Sequence, residues 1–510
     1  MSTTAEPIGG GGSGLVAGLA EKVGAPEAAM RLLLTLLAGY PIAFLYRFLI
    51  QHQSKKAVHH IFFALCGLML CFFNYGINTY HSLLCIWMTF LFVKLLHSSP
   101  TKLVAVNFIF HMGYLLIGYY FTESNEYDIL WTTPHCVLTL RMIGFVFDVT
   151  DGLKAKEKLS KDQLECCLEK TPSLLELLAY AYFPGSFLVG PQFPYRRYQR
   201  YIDGEFSQYK GFVQTGVLRF LMGVTYLAVR QVGAMMLPDN YFLTDSYRNQ
   251  PFIWRLIYLG LWGKFSLYKY ISCWLLTEGA LMCLGFTYNG KSADGSDDWY
   301  GCSNVKLYLL ETGNTMEHYV KSFNVNTNHW VASYVYKRLK FLNNRTISYG
   351  AALSFLAVWH GFHSGYYMSF FLEYLIVTTE KQIEDTYQKA IVSKYSNIVN
   401  TTPFKLLKII ALKSYNIIYM GWCLTPFIFL SFDRWLEVFR AVNYFGFIYL
   451  ASWFILLQIY KRQRALNRNK ERVASRATDL SPTVGESQSN ERGSNATDLS
   501  PNLQDNKKEN

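Results

Sequence analysis

The sequence predicts an all-α, polytopic membrane protein. Three observations predict it. Only 16% of the 510 residues are charged, while 51% are hydrophobic and 17% aromatic; a typical soluble protein carries about a quarter charged residues. Apolar runs close to the roughly 20 residues that a helix needs to cross a bilayer recur along the chain. The few polar side chains inside those runs include two histidines, His360 and His363, and a titratable ring in such a setting calls for a reason.

The elements follow in order. Residues 1–27 begin MSTTAEPIGGGGSG and read as a flexible polar N-terminus without the basic n-region of a secretory signal. The first apolar run is therefore expected to insert as an uncleaved anchor. Residues 28–460 read as the membrane-embedded domain. Its apolar runs are Ala28–Ile50, Val58–Ile77, Ser82–Leu96, Leu103–Phe121 and Ile129–Val149. The charged stretch Asp151–Lys170 then predicts a solvated helix or loop. Leu174–Gly190 is apolar but broken by Pro184, Gly185 and Gly190, as in broken helices that line a cavity. PQFPYRRYQRYIDGEFSQYK is basic and aromatic, which suits an interfacial helix. Phe212–Leu237 is one further pass, and Phe252–Phe286 is long enough for two. A polar loop covers about 287–322. Ile347–Thr379 is long enough for two short helices or one tilted pair, and Ile409–Leu430 and Val442–Tyr460 complete the set. Roughly ten to twelve passes result. Residues 461–510 start with KRQRALNRNKERVASR, turn Ser/Asn-rich, repeat ATDLSP and end KKEN. They predict a disordered tail, cytosolic by its basic start. Lys507 and Lys508 match a dilysine signal for return to the endoplasmic reticulum, with coat machinery as the implied partner.

The net charge of +12 is scattered around apolar segments, which argues for membrane orientation and an anionic partner and against nucleic acid. Ten dispersed cysteines without a CxxC pair argue against a disulfide framework or a structural metal. No GxSxG elbow and no phosphate-binding Gly-rich loop with its lysine occurs.

His360 lies in AVWHG. Lys321–Phe341, KSFNVNTNHWVASYVYKRLKF, precedes it and holds Asn324, Asn326 and Asn328. On residues alone, four roles fit His360. It can be a structural histidine between helices. It can be a metal ligand, sharing a helix face with His363 at i, i+3, although no acidic residue completes a ligand set nearby. It can relay protons with an intramembrane carboxylate, for which Glu176, Glu278 and Glu373 are candidates. Or it can be the general base of a transferase that works inside the membrane, with a neighbouring amide as polarising donor.

SFNVNTNHWVASYVYKRLKF followed by FLAVWHGFHSGYY resembles the signature of the membrane-bound O-acyltransferase family. YHSLLCIWMTFL, YDILWTTPHCVLTLRMIGFVFDVTDG, PSLLELLAYAYFPGSFLVGPQF and RLIYLGLWGKFSLYKYISCWLLTEG support it and resemble the lysophospholipid acyltransferase branch. The resemblance covers about residues 28–460. It implies about eleven transmembrane helices around a reaction chamber in the membrane. It places the catalytic histidine on His360 and the catalytic asparagine on Asn324, the first of three, with Asn326 and Asn328 as alternatives. Trp359, His363 and Asn328 are expected to line the chamber. The implied reaction moves a fatty acyl group from acyl-CoA to the sn-2 hydroxyl of a lysophospholipid, with acyl-CoA as co-substrate and with neither a resident cofactor nor a metal. A sterol, diacylglycerol or protein acceptor, or lipid transport without chemistry, are the alternatives. The CoA phosphates require cations. Lys337, Arg338 and Lys340 form one basic group, and Arg196, Arg197, Arg200 and Lys210 another; positive-inside charge alone explains either equally well.

Overall fold

The computed structural model describes residues 14–122, 124 and 129–479. Among them the regular structure is helical, with one isolated bridge between Lys291 and Asp297. The helices are α1 (Gly14–Val23), α2 (Glu27–Leu45), α3 (Lys56–Tyr75), α4 (Thr79–Leu96), α5 (Pro100–Thr122), α6 (Thr132–Asp151), α7 (Lys161–Cys166), α8 (Leu174–Ala181), α9 (Tyr195–Ile202), α10 (Phe212–Met236), α11 (Asp245–Arg248), α12 (Phe252–Leu284), α13 (Leu307–Thr312), α14 (Met316–Ser322), α15 (Val325–Val331), α16 (Arg345–His360), α17 (Ser364–Tyr387), α18 (Ser396–Val399), α19 (Thr402–Phe429), α20 (Phe432–Ala441) and α21 (Phe445–Asp479). Two units divide the chain, residues 1–450 and 451–510.

Among the described residues four helical segments are long and apolar enough to cross a membrane: Glu27–Ile50, Lys56–Leu96, Pro100–Thr122 and Phe212–Leu243. The broken pair Phe432–Ala441 and Phe445–Val473 adds a fifth. The other apolar runs also form helices, but they carry polar groups into the interior. Helix α6 buries Arg141 and Asp148, and α12 buries Glu278. Such side chains lower the mean hydropathy of a segment, and they are tolerated because they face protein partners instead of lipid.

Three sequence expectations change. Phe252–Phe286 forms one 33-residue helix, α12, and not two passes. No proline interrupts it. Gly263 does not break it but lets α19 approach, since a Cβ there would lie 2.3 Å from the Cα of Gly421. The helix stops at Gly285, whose φ of +80° favours glycine. Within the expected flexible N-terminus, Gly14–Val23 is helical, with Val16 and Ala20 buried. In the expected disordered tail, α21 continues to Asp479, because Lys, Arg, Gln, Ala and Glu are good helix formers. Lys507, Lys508 and the second ATDLSP lie outside the described residues.

Other expectations take shape in the structure. The stretch 364–387 follows α16 as a separate helix, and Leu174–Gly190 is a short helix, α8, followed by a turn. Helix α9 buries Tyr195, Tyr198, Tyr201 and Ile202 on one face and exposes Arg200 on another. The core of the first unit is organised around α12, which packs on α10, α19 and α2. One buried cluster joins α3, α4, α6, α8 and α9. A second joins α12, α17, α19 and α20. A third, with Leu115, Leu140, Trp330, Leu356 and Trp359, joins α5, α6, α15 and α16. The interior cavity takes its walls from all three.

Candidate active site

His360 is the last residue of α16. Gly361 follows with φ 123° and ψ −161°, a conformation open in practice only to glycine. The break lets α17 start three residues later, with the Gly365 amide donating to the Leu430 carbonyl at 2.9 Å. Trp359 anchors the turn: its indole N–H donates to the Cys136 carbonyl at 2.9 Å, and its own carbonyl accepts from the Tyr119 hydroxyl at 3.3 Å.

The His360 ring is boxed by aromatic rings. Tyr366 lies at 5.3 Å between centroids, Phe370 at 5.6 Å with its plane inclined by 30°, and Phe427 at 5.1 Å edge-on. Among the described residues neither ring nitrogen has a hydrogen-bond partner, and the open part of the ring faces the cavity. Ser364 is engaged elsewhere: its hydroxyl donates to the Leu430 carbonyl and accepts from the Trp435 indole.

Asn324 is set by a different device. It is the N-cap of α15, with φ 50° and ψ 44°, the left-handed region that asparagine tolerates better than most residues. Asn304, twenty residues upstream, holds the turn with every group it has. Its side-chain amide donates to Asn324 Oδ1 at 3.1 Å, its Oδ1 accepts from the Asn326 backbone N–H at 3.0 Å, and its carbonyl accepts from the Val325 backbone N–H at 2.9 Å. The Asn304 backbone N–H donates to Glu278 Oε1 at 2.6 Å. Glu278 Oε2 accepts from Arg219 Nε at 2.8 Å, and Arg219 also donates to the Val305 carbonyl at 3.1 Å. Arg219, Glu278 and Asn304 are buried, Glu278 with no exposed surface, while Asn324 and Asn326 are half-buried.

The three asparagines therefore differ. The Asn328 amide donates to the carbonyls of Val320 and Phe323, at 2.9 and 3.0 Å, and the Asn326 amide donates to the Cys302 carbonyl at 3.2 Å. Asn324 is the one whose amide nitrogen has no partner among the described residues. Because Asn304 occupies its oxygen, that nitrogen is the group left to face the cavity.

The cavity has a volume of about 380 Å³. His360, His363, Trp359, Asn324 and Asn328 all line it, as do Leu188 to Gly190 from the broken segment. The basic residues expected to meet CoA do not line it. Arg338 grips Asp151 with both terminal nitrogens, Nη1 at 2.9 Å from Oδ1, and lies over the Phe147 ring at 4.7 Å. Lys337 pairs with Asp162, and that ammonium holds the Asp162 carboxyl below the usual carboxylate range. In the other basic group, Arg197 donates to the carbonyls of Phe286 and Tyr288, and Arg200 pairs with Glu205. Lys340, Arg196 and Lys210 have no side-chain partner among the described residues. Of the three candidate glutamates, Glu176 caps α8 together with Ser173, Glu278 is taken by Arg219 and Asn304, and Glu373 lines the cavity. Among the described residues no three His, Cys, Asp or Glu side chains are grouped to hold a metal ion.

Sequence reasoning reached His360 and Asn324 but not Asn304 or the role of Arg219. Asn304 stands in a polar loop without periodicity, and nothing local marks its partners. The aromatic box was present in the sequence as Tyr366 and Phe370, at i+6 and i+10 from the histidine, but the helix break hides that spacing. Chemically, an unpaired imidazole and an unpaired amide N–H2 opening on one largely apolar cavity suit proton transfer and stabilisation of a developing oxyanion.

Sequence comparison places the chain among known proteins. A sequence model of MBOAT, the membrane-bound O-acyltransferase family, matches residues 116–422. Lysophospholipid acyltransferase 5 of Drosophila melanogaster is 61% identical over 442 residues, covering 86% of this chain and 89% of that protein. Lysophospholipid acyltransferase 5 of Homo sapiens is 40% identical over 87% of this chain and 91% of its own length. The protein of the same name from Caenorhabditis elegans is 35% identical over 91% and 98%. The chain belongs to the membrane-bound O-acyltransferase family.

Proposed function

We propose that this chain is a lysophospholipid acyltransferase that moves a fatty acyl group from acyl-CoA to the sn-2 hydroxyl of a lysophospholipid and so remodels membrane phospholipids. Lysophosphatidylcholine is the preferred acceptor in this reading, with lysophosphatidylserine and lysophosphatidylethanolamine also used. The observation that carries it is that His360 and Asn324, 36 positions apart in sequence, open with unpaired polar atoms on one cavity; the names of its relatives supply the substrate class.

In this mechanism the neutral imidazole of His360 takes the proton of the sn-2 hydroxyl as the oxygen attacks the thioester carbonyl. The Asn324 amide donates to the oxyanion, an interaction of the kind that stabilises a transition state by roughly 3 kcal/mol. The carbon–sulfur bond breaks, and the imidazolium returns its proton to the departing thiolate. A thioester is already activated, so neither a covalent enzyme intermediate nor a resident cofactor is needed. Both substrates carry long apolar chains, which is why the base sits among aromatic rings inside the membrane. Trp359, His363 and Asn328 shape the chamber. Lys340, rather than the paired Lys337 and Arg338, is the member of its cluster free to meet a CoA phosphate.

The same reading gives about eleven transmembrane helices, residence in the endoplasmic reticulum and a cytosolic C-terminus. Lys507→Ser with Lys508→Ser should let protein reach the Golgi if the dilysine pair retains it through coat machinery; unchanged reticulum staining would refute that part.

The test is release of free CoA thiol by membranes supplied with oleoyl-CoA and a panel of acceptors. Release is expected with lysophosphatidylcholine. Release only with a sterol, a diacylglycerol or a protein would move the chain to another acceptor class, and lipid movement without any release would make it a transporter.

A further inference from the structure

The cavity wall holds one carboxylate, Glu373, and among the described residues that line it there is no lysine, arginine or aspartate. Glu373 makes no hydrogen bond or ion pair with another described residue. A carboxylate in so apolar a setting is costly to leave unpaired. The carboxylates of the other two candidate glutamates are satisfied by protein groups. The partner of Glu373 is therefore sought in what enters the cavity.

Its position narrows the choice. Tyr366, Ser369, Phe370 and Glu373 line the cavity from α17, at the i, i+3, i+4 and i+7 spacing of one helix face. Phe370 stacks on the His360 ring, and Glu373 lies one turn further along the helix. At 1.5 Å per residue the seven positions from Tyr366 to Glu373 cover roughly 10 Å. In a lysophospholipid two glycerol carbons, a phosphodiester and a two-carbon link separate the sn-2 oxygen from the head-group nitrogen. An acceptor with its hydroxyl at His360 can thus set that nitrogen near Glu373. Tyr270, Tyr319 and Phe427 also line the cavity, and aromatic faces attract quaternary and primary ammonium groups.

We propose that Glu373, with aromatic rings that line the same cavity, is the subsite for the cationic nitrogen of the acceptor's head group. This inference rests on the reading of the chain as a lysophospholipid acyltransferase. The carboxylate pairs with the choline, ethanolamine or serine nitrogen, and it discriminates against glycerol and inositol head groups, which carry no cation.

The test compares kcat/KM for lysophosphatidylcholine and lysophosphatidylglycerol in the full-length protein. In Glu373→Gln the ratio of the two should fall roughly 10-fold, the scale of one lost charge-assisted contact, and Glu373→Asp should restore part of it. An unchanged ratio in Glu373→Gln would overturn the proposal and leave a neutral, hydrogen-bonding carboxyl. If Glu373→Gln is inactive with both acceptors, the wild-type protein decides. A short-chain alkyltrimethylammonium should inhibit it competitively against the acceptor at concentrations roughly 10-fold lower than the alcohol of equal chain length, and equal inhibition would overturn the proposal. Absence of wild-type transfer to every lysophospholipid would instead defeat the broader functional reading.

Discussion

Around His360 the interior leaves polar atoms unpaired, boxed by aromatic rings that offer shape but no hydrogen bonds. Around Glu278, on helix α12, Arg219, Asn304 and the backbone take up the carboxylate. Both regions are buried polar sites in one helical unit. The first holds its side chain by packing and keeps the ring nitrogens available to a substrate. The second holds a backbone turn by hydrogen bonds and has little left to offer a substrate. Asn324 stands where the two meet: its oxygen belongs to the network and its nitrogen to the cavity. Burial and polarity alone therefore do not identify the reacting groups. Partner accounting joined to position narrows the candidates, because a buried group without a protein partner is costly unless a ligand satisfies it, and His360 and Asn324 both line the cavity.

The sharpest way to break this comparison is to remove the unpaired imidazole. His360→Ala should abolish acyl transfer at equal protein level. Retention of more than roughly a tenth of the wild-type rate, about 1.4 kcal/mol of barrier, would end its role as base. Next in size is the amide at the junction. Asn324→Ala should lower turnover by roughly 10²-fold, whereas Asn326→Ala and Asn328→Ala, whose amides bind backbone carbonyls, should act chiefly on folding yield. A dead but well-folded Asn328→Ala would show that the wrong asparagine was chosen.

The network should fail differently. Glu278→Ala leaves Arg219 buried without its counter-ion and should cost roughly 3–5 kcal/mol of stability, read as a loss of folded protein before any kinetic effect. Asn304→Ala is the finer probe. It should keep KM for acyl-CoA while lowering kcat roughly 10-fold, because it frees Asn324 to turn without touching the substrate. A change confined to thermal stability would make Asn304 a scaffold residue only. His363→Gln should retain measurable activity, and chelators should leave the rate unchanged; equal loss in His360→Gln and His363→Gln with rescue by zinc would favour a metal centre. The smallest effect belongs to the partly exposed Lys337–Asp162 pair. Lys337→Ala should shift stability by less than about 1 kcal/mol and leave turnover intact. A selective rise in KM for acyl-CoA would return Lys337 to the CoA site.

Much of this was legible from the chain. The run from Val58 to Ile77 predicts α3 to within two residues at each end, since a long apolar segment admits only a helix at membrane depth. The two helices within Ile347–Thr379 were expected from length, and Gly361 is where the structure divides them. Phe252–Phe286 misled on the same criterion of length, because a span count takes no account of a helix that runs past one membrane thickness inside protein. Arg338 read as a free cation since its partner Asp151 lies 187 positions away.

What the sequence determined by itself is the membrane class, the helical elements and the residue types at the candidate site: composition, apolar run length and the WHG and FNVNTN stretches are local properties, and local properties survive in one dimension. Only the tertiary structure decided that Asn324 and not Asn328 keeps a free amide nitrogen, that Asn304 and Glu278 stand behind it, and that of three glutamates Glu373 alone opens on the cavity. Those outcomes depend on which groups meet across the fold. A hydrogen bond forms only within a few tenths of an ångström of about 3 Å, a condition that sequence spacing between distant segments does not specify.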